Sequence, residues 1–378
     1  MGYQIPLFNL NFDDDENRAV VDVLKSRWIS SGPKTIELEN RFANMLGAKY
    51  AVALSNCTAA LHLAVLAAGI GPGDEVIVPS LTFVATVNCV RYAGGTPVFC
   101  DVVSKDNLCI DPAQIEMLIT PRTKAVIVMH YGGFACDLDR ILDICKKHNI
   151  VLIEDACHGP MSEYKGKKLG TFGLAGCFSF FSNKNISTGE GGILVTNNED
   201  VYEKVKLLRS HGMTTMSYER STGHSTSYDV IGLGYNYRFN DILAGIGLVQ
   251  LDKLMPDIKK RQRIRAMYIQ ELQDDDRLII PFKDYHSLSS LYICPIVLRD
   301  GDAEHRNSLR QYLADNGVQT SMHYPPAHRF SIYKDCPANL PVTEFVADHE
   351  FTIPMYGALK DDEIEHICKT IKDGLNNH

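Results

Sequence analysis

The sequence predicts an α/β protein in two parts, a large N-terminal domain on a mostly parallel seven-stranded sheet and a smaller C-terminal α+β domain. Three observations carry this. Short β-branched runs alternate with amphipathic stretches through the first two thirds of the chain, the pattern of a parallel sheet covered on both faces. Several runs, such as Ala125-Val-Ile-Val-Met129, are apolar without a break, as strands buried on both sides are. Beyond about Gly247 the rhythm changes to a long charged helical stretch and then an isolated strand. A length of 378 residues is enough for two cores.

Taken in order, Asp13 followed by Val20, Val23 and Leu24 predicts a helix over Asp13–Arg27. Strands are expected at Tyr50–Leu54, Glu75–Val78, Thr96–Asp101, Ala125–Met129, Val151–Glu154, Cys177–Phe181 and Gly192–Thr196. Helices over Thr58–Ala68, Asp111–Leu118 and Leu138–Lys147 lie between them. A helix at Asp241–Gln250 and a charged helical stretch over Leu251–Gln273 follow. The last part reads as a strand at Tyr292–Val297 and a helix near Arg306–Asn316. A final helix is capped by Asp361-Asp362-Glu363, with Ile364, Ile367, Cys368 and Ile371 on one stripe. The expected division is 1–255 for the large domain and 256–378 for the small one, with the first thirty or so residues packing on the small domain.

Lys+Arg 38 against Asp+Glu 46 gives a net charge of −8, which argues against a nucleic-acid polymer and an anionic membrane surface as partners. It leaves room for one nucleotide diphosphate held by a few local cations. Eleven cysteines without a CxxC pair read as reduced, apolar side chains. The start Met1-Gly2-Tyr3-Gln4-Ile5-Pro6 has no basic or apolar leader, so a cytoplasmic protein is expected. The longest uncharged stretch, Tyr50–Gly73, is broken by polar residues and glycines and is no membrane span. His130, His158, His211, His323 and His328 show no metal-ligand spacing.

Ligands of open parallel sheets gather beyond the carboxyl ends of the strands, so chemistry is sought there. Val151-Leu-Ile-Glu154 ends in Asp155-Ala-Cys157-His158; a strand-end acid is often a helix cap, but it can also hold a cationic ring nitrogen. The aromatic strand ending at Phe181 runs into Lys184 and then the glycine-rich Thr188–Gly192. Partial desolvation there is expected to lower the pKa of Lys184 and make it a candidate amine nucleophile. Tyr50–Leu54 ends in Ser55-Asn56-Cys57-Thr58-Ala59, a helix start that serves either as a simple cap or as a phosphate seat. Gly232–Asn240 lacks the third glycine of a dinucleotide fingerprint, and neither GxxxxGK[ST] nor HExxH occurs.

An acid, a lysine and a phosphate seat on one sheet fit pyridoxal phosphate chemistry, and at this point the chain resembles the DegT–DnrJ–StrS sugar aminotransferases. The likeness runs from Trp28-Ile-Ser-Ser-Gly32-Pro33 through Gly73–Pro79, Thr82-Phe83, Glu154-Asp-Ala156, Asn183-Lys184 and Thr188–Gly192 to Gly234-Tyr-Asn-Tyr-Arg238 and Ile353-Pro354. It implies the aspartate-aminotransferase-like fold type I and pyridoxal 5′-phosphate as cofactor. It also implies a homodimer whose active site is shared between subunits. By resemblance Lys184 is the lysine that carries the cofactor and moves protons, and Asp155 is the partner of the pyridine nitrogen. Phe83 stacks on the ring, and Thr58, Ala59 and Ser179 bind the phosphate. His158 lies near the 3-hydroxyl, and Asn236 reaches the phosphate from the other subunit.

Cys57 stands where the family usually has glycine, which raises the question of a strained, left-handed residue in the phosphate turn. Tyr324-Pro-Pro-Ala-His328 loosely matches a family stretch and suggests His328 near the substrate. Arg238, Arg220, Arg329 and the Ser210–His224 loop are the candidate cations for a diphosphate. The implied reaction moves an amino group from glutamate or glutamine to a keto-sugar, foremost a nucleotide-linked 4-keto-6-deoxyhexose. A keto-inositol acceptor is the main alternative. A sugar dehydratase would carry histidine in place of Lys184, and a non-catalytic regulator would have lost the lysine, the aspartate or the phosphate seat; all three are present.

Overall fold

The computed structural model describes residues 3–215, 218 and 227–377. Its strands are β1 (Tyr50–Leu54), β2 (Glu75–Pro79), β3 (Thr96–Cys100), β4 (Thr123–Met129), β5 (Val151–Asp155), β6 (Glu163–Tyr164), β7 (Lys167–Lys168), β8 (Ala175–Ser179), β9 (Gly192–Thr196), β10 (Leu278–Ile279), β11 (Cys294–Leu298) and β12 (Glu350–Ile353). Seven of them form one sheet in the order β1-β9-β8-β5-β4-β2-β3. Only β9 runs against its neighbours, so the sheet is mostly parallel, as the sequence predicts.

Side chains alternate across the strands and split the apolar residues between two covered faces. Val76, Val78, Ile127 and Ile153 pack against the helices Cys57–Ala67, Ala85–Tyr92 and Glu199–Arg209. Ile77, Val126, Val128 and Leu152 face the helices Pro112–Leu118 and Leu138–His148. At the other end of that second face, Ala51, Ala53, Phe178 and Ile193 bury against Pro33–Leu46 and the start of a 32-residue helix, Asp241–Leu272.

That long helix corrects the reading of two successive helical stretches. It is continuous, and Pro256 removes one backbone donor without ending it. Leu248, Leu251, Leu254 and Ile258 belong to the sheet's core, whereas Ile264, Tyr268 and Leu272 belong to a second core. A boundary near residue 255 would therefore fall inside one helix. The second core is built on the antiparallel sheet β10-β11-β12 with the helices Ala303–Asp315 and Asp361–Asn377. Ile5 joins it and bridges to Val318, while Leu7 N–H donates to Gln319 Oε1 at 2.9 Å.

The strand expected at Cys177–Phe181 is displaced: β8 ends at Ser179. Phe180 N–H still donates to Gly191 O beside β9, but Phe181 meets Gly189 only in an isolated parallel bridge, and the chain turns immediately after it. None of the helices among the described residues is long and apolar enough to cross a membrane. All eleven cysteines are buried and unpaired.

Candidate active site

The carboxyl ends of β1, β5 and β8 open into a cavity of about 980 Å³. That is the size and place expected of a small-molecule site in an open α/β sheet. Six of the residues assigned a cofactor role by resemblance line it, Thr58, Ala59, Phe83, Asp155, Ser179 and Lys184, and so does Cys57.

Asp155 ends β5 and is buried. Its Oδ2 accepts from Thr86 Oγ1 at 2.7 Å and its Oδ1 from Cys157 N–H at 3.2 Å. Thr86 in turn is 2.7 Å from Thr82 Oγ1. Because the Thr86 proton is committed to Asp155, the Thr82 hydroxyl is the donor of that second bond. The neighbouring Glu154 points to the opposite face, where it accepts from the backbone of Gly170, Phe172 and Gly173 and pairs with His130. Successive residues of one strand thus divide between architecture and cavity.

Lys184 sits in the turn that reverses the chain after β8, its N–H donating to Phe181 O. Its Nζ lies 3.9 Å from the centroid of the Tyr292 ring and 4.0 Å from Cys157 Sγ. Desolvation is the largest influence on the amine and opposes its charge, as expected. The side chains around it, foremost Cys157, then Tyr292, Asp155 and Cys57, favour the charged amine and outweigh that burial. The balance holds the amine above its ordinary pKa, which corrects the expectation of a lowered one. The two thiols are themselves pushed well up by burial.

The helix Cys57–Ala67 starts at the end of β1, with Asn56 as its cap accepting from Ala59 N–H at 2.8 Å. Cys57 is the first helical residue and has no positive φ, so the strain suspected from its replacing a glycine does not arise. The glycine that this turn does require is Gly192. A Cβ there would stand 2.4 Å from Cys57 N and from the Asn56 carbonyl carbon. Phe83 is 55 % exposed although Leu81 and Thr82 beside it are buried, so its ring face is uncovered within the cavity. Tyr324 stands opposite at 6.1 Å between ring centroids.

His158 does not line the cavity but lies fully buried behind it. Burial, followed by the charge on Lys184, holds it well below its ordinary pKa and therefore neutral. Its Nδ1 accepts from Gly132 N–H at 3.2 Å, which leaves the proton on Nε2 to meet Tyr324 Oη at 2.8 Å. His158 thus acts on the cavity through Tyr324. His328 is engaged elsewhere, with Ser80 Oγ at 2.7 Å and Glu344 Oε1 at 3.2 Å. Asn236 is exposed and bridges to Ser210, and Arg238 bonds Ser210 Oγ at 3.1 Å; neither lines the cavity. Arg329 pairs with Asp348 at 2.7 Å, while Arg220 and His224 lie outside the described residues.

Sequence reasoning gave no site role to Thr86, Tyr292, His323, Tyr324 and Asn183, although it named the last four in other connections. Thr86 was within reach, three residues beyond Phe83 in the first turn after a strand end. The others come from segments whose approach to the sheet no local pattern announces. Asn183 Oδ1 is buried with no hydrogen-bond partner. That unsatisfied acceptor, the uncovered Phe83 face, the buried carboxylate, the amine and the helix N-terminus together fit pyridoxal phosphate: an aromatic ring with a basic nitrogen at one end, an aldehyde and a phosphate.

Comparison with known proteins agrees. The DegT/DnrJ/EryC1/StrS aminotransferase family model matches residues 11–372. The spore coat polysaccharide biosynthesis protein SpsC of Bacillus subtilis is 36 % identical over 378 residues, covering 98 % of this chain and 96 % of its own. Among solved structures, Spr1654 of Streptococcus pneumoniae, assigned as a sugar aminotransferase, superposes in its PLP form with a TM-score of 0.92. It is 31 % identical, with 99 % of each chain covered. PseC of Helicobacter pylori, an aminotransferase of pseudoaminic acid biosynthesis, gives a TM-score of 0.92 at 28 % identity, covering 99 % of this chain and 100 % of its own.

Proposed function

The chain belongs to the DegT/DnrJ/EryC1/StrS aminotransferase family, and from that premise we propose that it moves an amino group from glutamate or glutamine to a nucleotide-linked 4-keto-6-deoxyhexose. It is a pyridoxal-phosphate-dependent transaminase of fold type I acting in sugar biosynthesis. The observation that carries the assignment of residues is the meeting of the Asp155 carboxylate and the Lys184 amine in one cavity beside the uncovered face of Phe83.

Pyridoxal phosphate, when bound, supplies an electron sink that lets the carbon bearing the amino group release a proton. The protein's own residues do the rest. Asp155, held by Thr86 and the Cys157 N–H, presents a fixed negative charge that keeps a proton on a ring nitrogen. Lys184 Nζ is the amine that would hold the cofactor and, when free, would take and return the proton at the substrate carbon. Thr58, Ala59 and Ser179 receive the phosphate at the N-terminus of the helix Cys57–Ala67. Phe83 covers one ring face, and His158 orients the Tyr324 hydroxyl beside it.

The working unit in this proposal is a homodimer. Asn236 is exposed and does not line its own cavity, although Tyr237 beside it does, and Tyr228, Val230, Ile231 and Leu233 close by in sequence are more than half exposed. Such an apolar stretch suits a second copy, to which Asn236 and Arg238 would be lent.

One observation favours the second reading, a keto-inositol acceptor. Lys184 is the only lysine or arginine among the described residues lining the cavity, so a diphosphate would depend on cations from outside it. The test is to load the protein with pyridoxamine phosphate and offer a panel of nucleotide-linked keto-sugars and free keto-inositols. Return of the absorbance of the lysine-bound cofactor with the 4-keto-6-deoxyhexose nucleotides supports the proposal. Return with the inositols alone replaces it by the second reading.

A further inference from the structure

Behind the wall that carries Tyr324 runs a buried chain of three polar side chains that the proposed transamination leaves unused. Glu350, at the start of β12, is 2 % exposed, Thr352 1 % and His323 7 %. Thr352 Oγ1 donates to Glu350 Oε1 at 2.5 Å and lies 2.8 Å from His323 Nδ1. Glu350 Oε2 accepts from the His323 backbone N–H at 2.9 Å, and Tyr131 Oη donates to His323 O. His323 itself lines the cavity.

Direction follows from proton counting. A Thr352 hydroxyl that donates to Glu350 has only lone pairs left for His323, so Nδ1 must carry the ring proton. Nε2, which makes no hydrogen bond with the protein among the described residues, is then an acceptor. If Glu350 takes up one proton at Oε1, every link can turn round. Glu350 O–H then donates to Thr352, Thr352 donates to Nδ1, and the ring proton leaves Nδ1 while one joins Nε2. The carbonyl oxygen Oε2 keeps its bond from the His323 N–H, and the net change is the single proton on Glu350.

We propose that Glu350 is a positioning residue that, through Thr352, sets which nitrogen of His323 carries its proton, and so whether the cavity wall there accepts or donates a hydrogen bond. The groups facing this chain are consistent with it. Around Glu350, burial raises the carboxyl to about 7 against the opposing bonds from Thr352 and the His323 N–H and the charges of Arg306 and Arg310. Arg306 Nη1 also donates to the Glu350 carbonyl, and the Tyr131 phenol feels the carboxylate. Around His323 stand Lys184, Tyr292, Tyr324 and His158. Burial and the Lys184 charge lower His323 to about 3, so the ring stays neutral while Glu350 titrates and only its tautomer is left to change.

The inference goes beyond transamination and does not depend on the substrate. The test uses the full-length protein with ¹⁵N-labelled histidine, with pyridoxal phosphate added and its bound absorbance recorded separately, so that loss of cofactor and loss of tautomer control are read apart. His323 is assigned from the signals that a His323→Gln variant lacks. In the wild type, the Nδ1–H form is expected above about pH 8, giving way to the Nε2–H form with a midpoint near 7. In Glu350→Gln the amide takes the place of the acid O–H, and the Nε2–H form is expected at every pH. In Thr352→Val the tautomer no longer follows pH. Should Glu350→Gln fail to fold by circular dichroism, the wild-type titration and Thr352→Val decide. A wild-type His323 that keeps one tautomer from about pH 6 to about pH 9 overturns the proposal, as does a folded Glu350→Gln protein with the wild-type pattern.

Discussion

Thr86 Oγ1 donates to Asp155 Oδ2 across 2.7 Å, and both side chains are buried. The bond stabilises the carboxylate on which the cofactor's ring nitrogen would rest. Thr86→Val keeps the shape and removes the donor, so turnover is expected to fall about tenfold, the worth of one hydrogen bond to a charged group. Asp155→Asn removes the charge itself and is expected to cost about a hundredfold or more. Steady-state kcat for both variants checks the order; a Thr86→Val enzyme as impaired as Asp155→Asn would contradict it.

The raised pKa of Lys184 gives a second expectation. Capture of pyridoxal phosphate needs the neutral amine, so its rate should rise about tenfold per pH unit below that pKa. Tyr292→Leu removes the ring over which Nζ sits at 3.9 Å. A cation–π contact of about 1 kcal/mol corresponds to somewhat less than one pKa unit, so this variant should capture cofactor several-fold faster at a fixed pH. Stopped-flow absorbance after mixing cofactor-free protein with pyridoxal phosphate reads both effects.

Gly192→Ala drives a methyl group to 2.4 Å from Cys57 N and should shift the start of the Cys57–Ala67 helix. A loss of at least about 2 kcal/mol in stability, or of about thirtyfold in cofactor affinity, is expected. Cys57→Gly should by contrast leave affinity within a few-fold, because Cys57 is helical and needs no left-handed backbone. Cofactor titration followed by fluorescence or absorbance compares the two.

These residues also show what was legible in the sequence. The strands Tyr50–Leu54 and Gly192–Thr196 are found as read because unbroken apolar runs between turn residues leave few alternatives. Asp155 and Lys184 were legible for a related reason: polar groups at the ends of buried strands face the ligand edge of the sheet. The end of β8 was not, since Phe180 and Phe181 continue its apolar pattern after the regular ladder with β9 has ended at Ser179. The helix Ala85–Tyr92 has no side-chain cap to announce it, so Thr86 went unread. Tyr292, His323 and Tyr324 reach the cavity from the far side of the chain, a relation only tertiary packing reveals. The sign of the Lys184 shift failed likewise, because burial is visible in a sequence and the side chains gathered around the amine are not.

Glu350 gives an expectation for stability. Its folded pKa of about 7 lies above the ordinary carboxyl value of 4.5, so the folded state binds more protons than the unfolded state between the two. The contribution is full below the unfolded value and is lost as pH rises through about 7, amounting to at most about 3 kcal/mol. Glu350→Gln should remove this fall. Denaturant unfolding midpoints across the range, wild type against variant, report the difference in slope.

The most direct test of the account is a single turnover read by mass spectrometry. Wild type and Lys184→Ala, each loaded with pyridoxamine phosphate, are mixed with a nucleotide-linked 4-keto-6-deoxyhexose. The expected result is conversion of the keto-sugar to the amino-sugar by the wild type, with Lys184→Ala leaving it unchanged over the same time. Amino-sugar formed equally fast by Lys184→Ala would contradict the central claim that Lys184 is the group that moves the proton.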